Sequence, residues 1–148
     1  MICLFLVLSS ILIFISPSFN MFMALLAVYN MSTDNWDPEC RNISTRRLCA
    51  ENLVKEKFDA RKEFIYHPFF DGEQLESYIK MDMVVIMPRG NVIIECKSMK
   101  TITNKEQFQT FGYLRGTSFP IAILVNFGTW PKAQIERYYY HDDIIWAF

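Results

Sequence analysis

One segment near the carboxyl end of the chain, residues 120–127, is almost entirely apolar and has the length of a β-strand. Such a run suits a strand that is buried on both faces, as in a parallel sheet. Another apolar run, residues 92–97, precedes it. A helix is expected between the two, because residues 103–106 have the spacing of a capping box. Strand, helix and strand form a βαβ unit, so the sequence predicts an α/β domain around a central mixed sheet flanked by helices.

The remaining patterns extend this unit in both directions. The segment before residue 92 ends in the turn residues 88–91, which makes residues 75–87 and 92–97 a β-hairpin. The predicted order is therefore α, β, β, β, α, β, with an edge strand at the end. In chain order, the predicted elements are a helix over about 46–59, strands over 63–67, 75–87 and 92–97, a helix from 104 to about 115 that Gly116 ends, a strand over 120–127 and an edge strand within 135–146.

Length and charge limit the classes of function. A chain of 148 residues suits one domain with one core. Its 15 basic and 16 acidic residues lack the basic excess of a dedicated DNA-binding protein, so any nucleic-acid contact must come from a local patch, a partner or a metal. Two histidines and four cysteines without a CxxC pair argue against a structural zinc site. Cys40 and Cys49 could form a disulfide only in an oxidising compartment.

The first 30 residues are mostly apolar and carry no charge. Three interpretations remain open. Translation begins at Met31 and the domain is intracellular, or the segment is a membrane anchor, or it is a cleaved signal peptide of a secretory protein. The predicted organisation is an apolar segment over residues 1–30, a linker over residues 31–45 and a folded domain over residues 46–148.

Three charged residues on the hairpin strands point to chemistry. Glu95 and Lys97 are two positions apart and share one face of their strand, and Asp82 lies on the partner strand. An unpaired carboxylate costs several kcal/mol to bury, and a divalent cation would remove that cost. Asp82 and Glu95 are predicted ligands of Mg²⁺ or Mn²⁺, with Lys97 beside the metal to orient a water or stabilise charge on a phosphate. The alternative is a solvated charge pair on an exposed strand.

The ordered motifs resemble the GxxExxY family, a branch of the PD-(D/E)XK nuclease superfamily. Members of that family show an acid-bearing strand, a short turn, an apolar strand ending in ELK, a helix with Gln-x-x-x-Tyr-Leu and a strand ending in Asn-Phe. The matching segments here are residues 80–82, 93–97, 109–114 and 123–127, so the resemblance spans roughly residues 58 to 130, about half of the chain.

The resemblance implies a restriction-endonuclease-like core and a metal-dependent nuclease that acts on nucleic acid, with DNA as the expected substrate. It assigns metal binding to Asp82 and Glu95 and a catalytic role to Lys97, and it makes Gln109 a helix residue that holds water or substrate. The family's first-helix motif is missing, because Arg46 and Cys49 fall about where its Glu and Tyr would lie. Glu51 is an accessory candidate for the first-helix carboxylate.

The missing motif leaves two alternatives to an active nuclease. One is a catalytically weak or inactive protein of the same fold that binds nucleic acid or a protein without cutting. The other is a membrane-anchored protein whose folded domain serves as a scaffold.

Overall fold

The computed structural model describes residues 41–129 and 133–148. Two helices and eight strands follow one another along this part of the chain. In order they are α1 (Arg41–Lys55), β1 (Asp59–Tyr66), β2 (Phe69–Phe70), β3 (Glu73–Gln74), β4 (Ile79–Ile86), β5 (Val92–Lys97), α2 (Asn104–Thr117), β6 (Ile121–Asn126), β7 (Gln134–His141) and β8 (Ile144–Ala147). The predicted apolar segment over residues 1–30 lies outside the described residues.

A six-stranded sheet in the order β1-β4-β5-β6-β7-β8 forms the centre of the domain, and β2 and β3 form a separate small hairpin. The strands β5 and β6 pair in parallel, and the other neighbours in the large sheet pair antiparallel. All six residues of β6 are buried. The predicted α/β class with a central mixed sheet is confirmed, as is the βαβ unit made by β5, α2 and β6.

The two helices lie on opposite faces of this sheet. On one face, Cys49, Ala50 and Leu53 of α1 pack against alternate strand residues such as Met83 and Ile94. On the other face, Leu114 of α2 packs in a second cluster with Val84, Ile93, Ala122 and Leu124. Because neighbouring strand residues point to opposite faces, each central strand contributes to both clusters. This explains why the sequences of the central strands are continuous apolar runs and do not alternate between apolar and polar residues.

The first helix differs from its predicted bounds, because it begins at Arg41 and ends at Lys55 instead of spanning about residues 46–59. The end of the predicted linker over residues 31–45 is therefore helical. The sequence contains no Pro or Gly between residues 39 and 55, so nothing local stops the helix from starting before Ser44 and Thr45. Lys57 adopts a positive φ of 66°, which ends the helix earlier than predicted and lets β1 begin at Asp59.

The second helix begins where predicted, at the capping box of Thr103 and Glu106, which is present in full. Its predicted end at Gly116 is wrong. The helix continues to Thr117, and Ser118 forms the C-cap in the left-handed conformation, with its N–H donating to the Leu114 carbonyl. A Cβ on Gly116 would lie 2.5 Å from Ile79 Cδ1, so this glycine allows the helix to pack closely on β4.

The predicted single edge strand is in fact a hairpin, since β7 and β8 pair across a turn at Asp142 and Asp143. Both turn residues have positive φ, as a type I′ turn requires. Neither helix of the described residues is long and apolar enough to cross a membrane.

Candidate active site

The hairpin of β4 and β5 places the predicted metal ligands opposite each other. Met83 pairs with Ile94 in this antiparallel ladder, and the register continued by one residue sets Asp82 against Glu95. The main-chain N–H of Asp82 donates to Glu95 Oε2 at 3.4 Å, which brings that carboxylate to the partner strand. The hairpin therefore gathers two acids that are thirteen residues apart in the chain.

Lys97 joins the sheet to the second helix. Its Nζ donates to Glu95 Oε1 at 2.7 Å and to Gln109 Oε1 at 2.9 Å. Gln109 Nε2 in turn donates to the Tyr113 hydroxyl at 2.5 Å, one helical turn further along α2. Because the Gln109 amide nitrogen is bound to Tyr113, its amide oxygen faces Lys97. The four side chains form one continuous line of hydrogen bonds.

Glu95 is the most buried charged group in this line. Its side chain is 4% exposed, and that of Lys97 is 20% exposed. Burial and the negative charge of Asp82 raise the pKa of the Glu95 carboxyl, and the bond from Lys97 partly offsets them. Burial and the charge of Glu95 likewise raise the pKa of the Tyr113 hydroxyl. The ionised form of this buried carboxylate needs a positive partner, and Lys97 is that partner.

Asp82 contacts the first helix rather than the second. Arg46 Nη1 lies 2.9 Å from Asp82 Oδ1, and the main-chain N–H of Cys96 donates to Asp82 Oδ2 at 3.0 Å. Both carboxylate oxygens of Asp82 thus have a partner within the protein. Arg46 and Asp82 also line an open cleft of about 520 Å³ together with Arg47, Lys62 and Glu63.

The position of Arg46 follows from the packing of α1. Cys49, Ala50 and Leu53 form the buried stripe of this helix, and Arg46 extends the same stripe by one turn towards the helix start. Glu51 lies outside the stripe, and its carboxylate accepts from Arg47 at 2.8 Å on the exposed surface. Arg46 is the residue by which the first helix contacts Asp82, so this helix presents a cation to Asp82.

The end of β6 shapes the loop that follows Lys97. Asn126 is fully buried, and its Oδ1 accepts from the N–H groups of Met99 at 2.9 Å and Gly128 at 3.0 Å. Its Nδ2 donates to the Met99 carbonyl at 2.8 Å. Asn126 therefore fixes the backbone just after the candidate lysine. The role of Asn126 is therefore structural.

Asp82 and Glu95 offer carboxylate oxygens, which are the ligands that Mg²⁺ and Mn²⁺ prefer. Among the described residues, no group of three or more His, Cys, Asp or Glu side chains could hold a metal ion. Two carboxylates still fit Mg²⁺, because this ion keeps several waters and usually takes one or two carboxylates plus phosphate oxygens. Burial and the charge of Asp82 raise the pKa of Glu95, and a cation beside the two acids would offset both effects.

Sequence reasoning gave no role in the site to two of these residues. Tyr113 was available as a signal, since it lies four positions after Gln109 and so on the same face of the helix. The spacing of Arg46 from Cys49 and Leu53 marks the core-facing stripe of α1, but nothing in the sequence says that this stripe ends beside Asp82. That contact depends on how the helix crosses the sheet.

Comparisons with known proteins bear on the whole arrangement. The sequence model described as the PD-(D/E)XK nuclease superfamily matches residues 44–138, which include Arg46, the β4–β5 hairpin and Gln109. A comparison with curated proteins found no significant match. Among solved structures, the chain is similar to the one titled "Crystal structure of SSO0001", with 15% sequence identity, a TM-score of 0.44 and coverage of 82% of this chain and 76% of that chain. A similarity this weak supports no conclusion about function.

Proposed function

The chain belongs to the PD-(D/E)XK nuclease superfamily, and from this premise we propose that it hydrolyses phosphodiester bonds of nucleic acid with Mg²⁺ or Mn²⁺ as cofactor. The superfamily accounts for the restriction-endonuclease-like core described above, and its nucleases generally use divalent metals. DNA is the expected substrate. The ordered motifs from Asp82 to Asn126 further favour the GxxExxY branch.

The observation that carries the proposal is the position of Lys97. Its ammonium group is held between Glu95 Oε1 and Gln109 Oε1, so a full positive charge is fixed beside the two acids. A charge fixed in this way can stabilise the negative charge that develops on a phosphate during hydrolysis, at no cost in reorganisation. A surface charge pair would not need a third group from another element to hold the lysine.

Each neighbouring residue has a distinct part in this proposal. Asp82 and Glu95 would hold the cation, and Lys97 would lie against the phosphate. Gln109 orients Lys97, and Tyr113 orients Gln109 through the bond to its amide nitrogen. A bound divalent cation would polarise a phosphate oxygen and lower the pKa of a water. Glu51 has no part here, because Arg47 holds it on the exposed surface.

The test is to incubate the full-length chain with single- and double-stranded DNA and RNA, in Mg²⁺, in Mn²⁺ and in EDTA. Cleavage that needs the metal is expected, and Glu95→Ala or Lys97→Ala should lower its rate by about a hundredfold or more. Lys80→Ala is the matched control, since Lys80 pairs with Glu63 on the exposed surface of the same sheet. Each variant is first checked for a native circular dichroism spectrum.

Cleavage of none of the four nucleic acids by the wild-type chain would refute the proposal. Cleavage that survives both substitutions would also refute it, because it would then arise elsewhere in the chain or from a contaminant.

A second candidate is a protein of the same fold that binds nucleic acid without cutting it. The Arg46–Asp82 ion pair favours this alternative, because it engages one oxygen of a proposed metal ligand. Calorimetry with Mn²⁺ separates the two candidates. Metal binding that Asp82→Ala abolishes supports a working site. An absence of metal binding even in the presence of an uncleavable phosphorothioate oligonucleotide, together with affinity for that oligonucleotide, supports the binding protein.

A further inference from the structure

The ion pair between Arg46 and Asp82 ties the first helix to a proposed metal ligand. Arg46 Nη1 lies 2.9 Å from Asp82 Oδ1, with side chains that are 33% and 14% exposed. Asp82 Oδ2 is already engaged by the Cys96 N–H at 3.0 Å. A cation that approaches Asp82 must therefore meet the positive charge of Arg46 at short range, where the two repel each other. As it stands, the ion pair opposes metal binding.

The cleft beside this pair favours an anion rather than a cation. Among the residues that the structure describes, Arg46, Arg47 and Lys62 supply three positive charges to its walls, against the two negative charges of Glu63 and Asp82. This local excess contrasts with the net charge of −1 for the whole chain. With a volume of about 520 Å³ and an open mouth, the cleft has room for a phosphodiester group. An arginine guanidinium binds phosphate through two parallel hydrogen bonds, as it binds carboxylate.

We propose that Arg46 is shared between Asp82 and a backbone phosphate of nucleic acid that enters this cleft. When the phosphate binds, the guanidinium leaves Asp82 for the phosphate oxygens, and Asp82 Oδ1 becomes free to bind the divalent cation. This inference rests on the proposed function for the class of ligand and for the metal. It goes further by making the ion pair a device that couples the binding of nucleic acid to the binding of metal.

Coupling of this kind is reciprocal. If the phosphate removes Arg46 from Asp82, nucleic acid must tighten metal binding, and metal must tighten the binding of nucleic acid by the same factor. Without nucleic acid the pair keeps metal affinity low. The first helix presents the cation Arg46 at this position, and the coupling gives it a role that does not require it to hold the metal.

The first experiment titrates Mn²⁺ into the full-length chain by calorimetry, without nucleic acid. Arg46→Gln should bind Mn²⁺ about tenfold more tightly than the wild type, because it removes both the competing partner of Asp82 and a nearby like charge. Arg61→Gln is the matched control. Arg61 pairs with Asp59 on the exposed surface and does not line the cleft, so its loss should leave the affinity unchanged. Equal or weaker binding of Mn²⁺ by Arg46→Gln would overturn the proposal.

The second experiment measures the coupling itself by fluorescence anisotropy. The probe is a labelled single-stranded DNA oligonucleotide with a phosphorothioate backbone, which resists hydrolysis. Mn²⁺ should tighten its binding to the wild type by about fivefold or more. Arg46→Gln should reduce that gain to about twofold or less and weaken binding in EDTA. Arg46→Lys keeps the charge without the planar fork and should give an intermediate gain. If Arg46→Gln fails to fold, Arg46→Lys is compared with the wild type in its place.

These outcomes are separate from those of the cleavage assay, because neither experiment measures hydrolysis. A chain that cuts nothing but shows coupling that needs Arg46 would refute the proposed function and support this inference. A chain that cuts nucleic acid while its Arg46 variants retain full coupling would do the reverse. No Mn²⁺ binding by either the wild type or Arg46→Gln would refute the inference, whereas binding by Arg46→Gln alone would support it.

Discussion

Replacing Lys97 with methionine should destabilise the domain at neutral pH. The substitution keeps an unbranched side chain but removes the ammonium group that lies 2.7 Å from Glu95 Oε1. The Glu95 carboxylate, 4% exposed, would stay in place with Asp82 as its charged neighbour. Breaking a buried ion pair by removing one partner costs about 3 kcal/mol or more. Since one fifth of the Lys97 side chain is exposed, about 3 kcal/mol is the expected loss in free energy of unfolding.

The loss should depend on pH in a defined direction. Burial and Asp82 already raise the pKa of Glu95 above the ordinary value of 4.5, and removal of Lys97 raises it further. A carboxyl with a raised pKa in the folded state favours folding when it is protonated. Its contribution is complete below the ordinary pKa and is lost as the pH rises through the folded pKa. The effect of Lys97→Met should therefore be largest at neutral pH and should shrink as the solution becomes acidic.

Urea unfolding followed by circular dichroism, at neutral and at acidic pH, measures both effects. Lys80→Met is the control, because the Lys80–Glu63 pair has a similar distance of 3.1 Å but side chains that are 51% and 70% exposed. Its cost should be about 0–1 kcal/mol. Adding Glu95→Gln to Lys97→Met should restore part of the stability, since it removes the unpaired charge. A loss no larger than that of Lys80→Met, or one of equal size at both pH values, would refute the reasoning.

Four further substitutions test other parts of the structure by urea or thermal unfolding. Asn126→Ala removes the acceptor of two backbone N–H groups and should cost about 2 kcal/mol, and a change near zero would contradict its role in holding the loop. Gly112→Ala should stabilise α2 by up to about 1 kcal/mol, because nothing lies within 4 Å of the added Cβ. Gly128→Ala should destabilise the domain, because its Cβ would lie 2.3 Å from a backbone oxygen. Equal effects of the two substitutions would count against this packing. Thr103→Ala should cost about 1 kcal/mol at neutral pH by removing the helix cap. Its hydrogen bonds lower the pKa of Glu106, so this cost should fall as the pH drops, and a cost independent of pH would argue against the capping box.

Much of the fold could be predicted from local patterns. The hairpin before Lys97, the capping box at Thr103 and the buried strand after it are each encoded in a short stretch of sequence. A turn, a cap or an apolar run acts over a few residues, so its effect is visible without the rest of the chain. Helix ends were predicted less well. Gly116 gave a stop signal, yet the helix passes through it, because packing against Ile79 outweighs the local preference of glycine.

The candidate site divides in the same way. Glu95 and Lys97 share a face because a strand alternates its side chains, and Asp82 follows from the register of a hairpin, so the sequence alone determined this group of three. The Gln109–Lys97 bond needed the helix to fold back over the sheet, and the family resemblance supplied that expectation. Only the tertiary structure decided that Arg46 lies 2.9 Å from Asp82 and that Glu51 faces away. The physical reason is that local geometry fixes which residues share one face of an element, whereas the packing of α1 across the sheet decides what that face contacts.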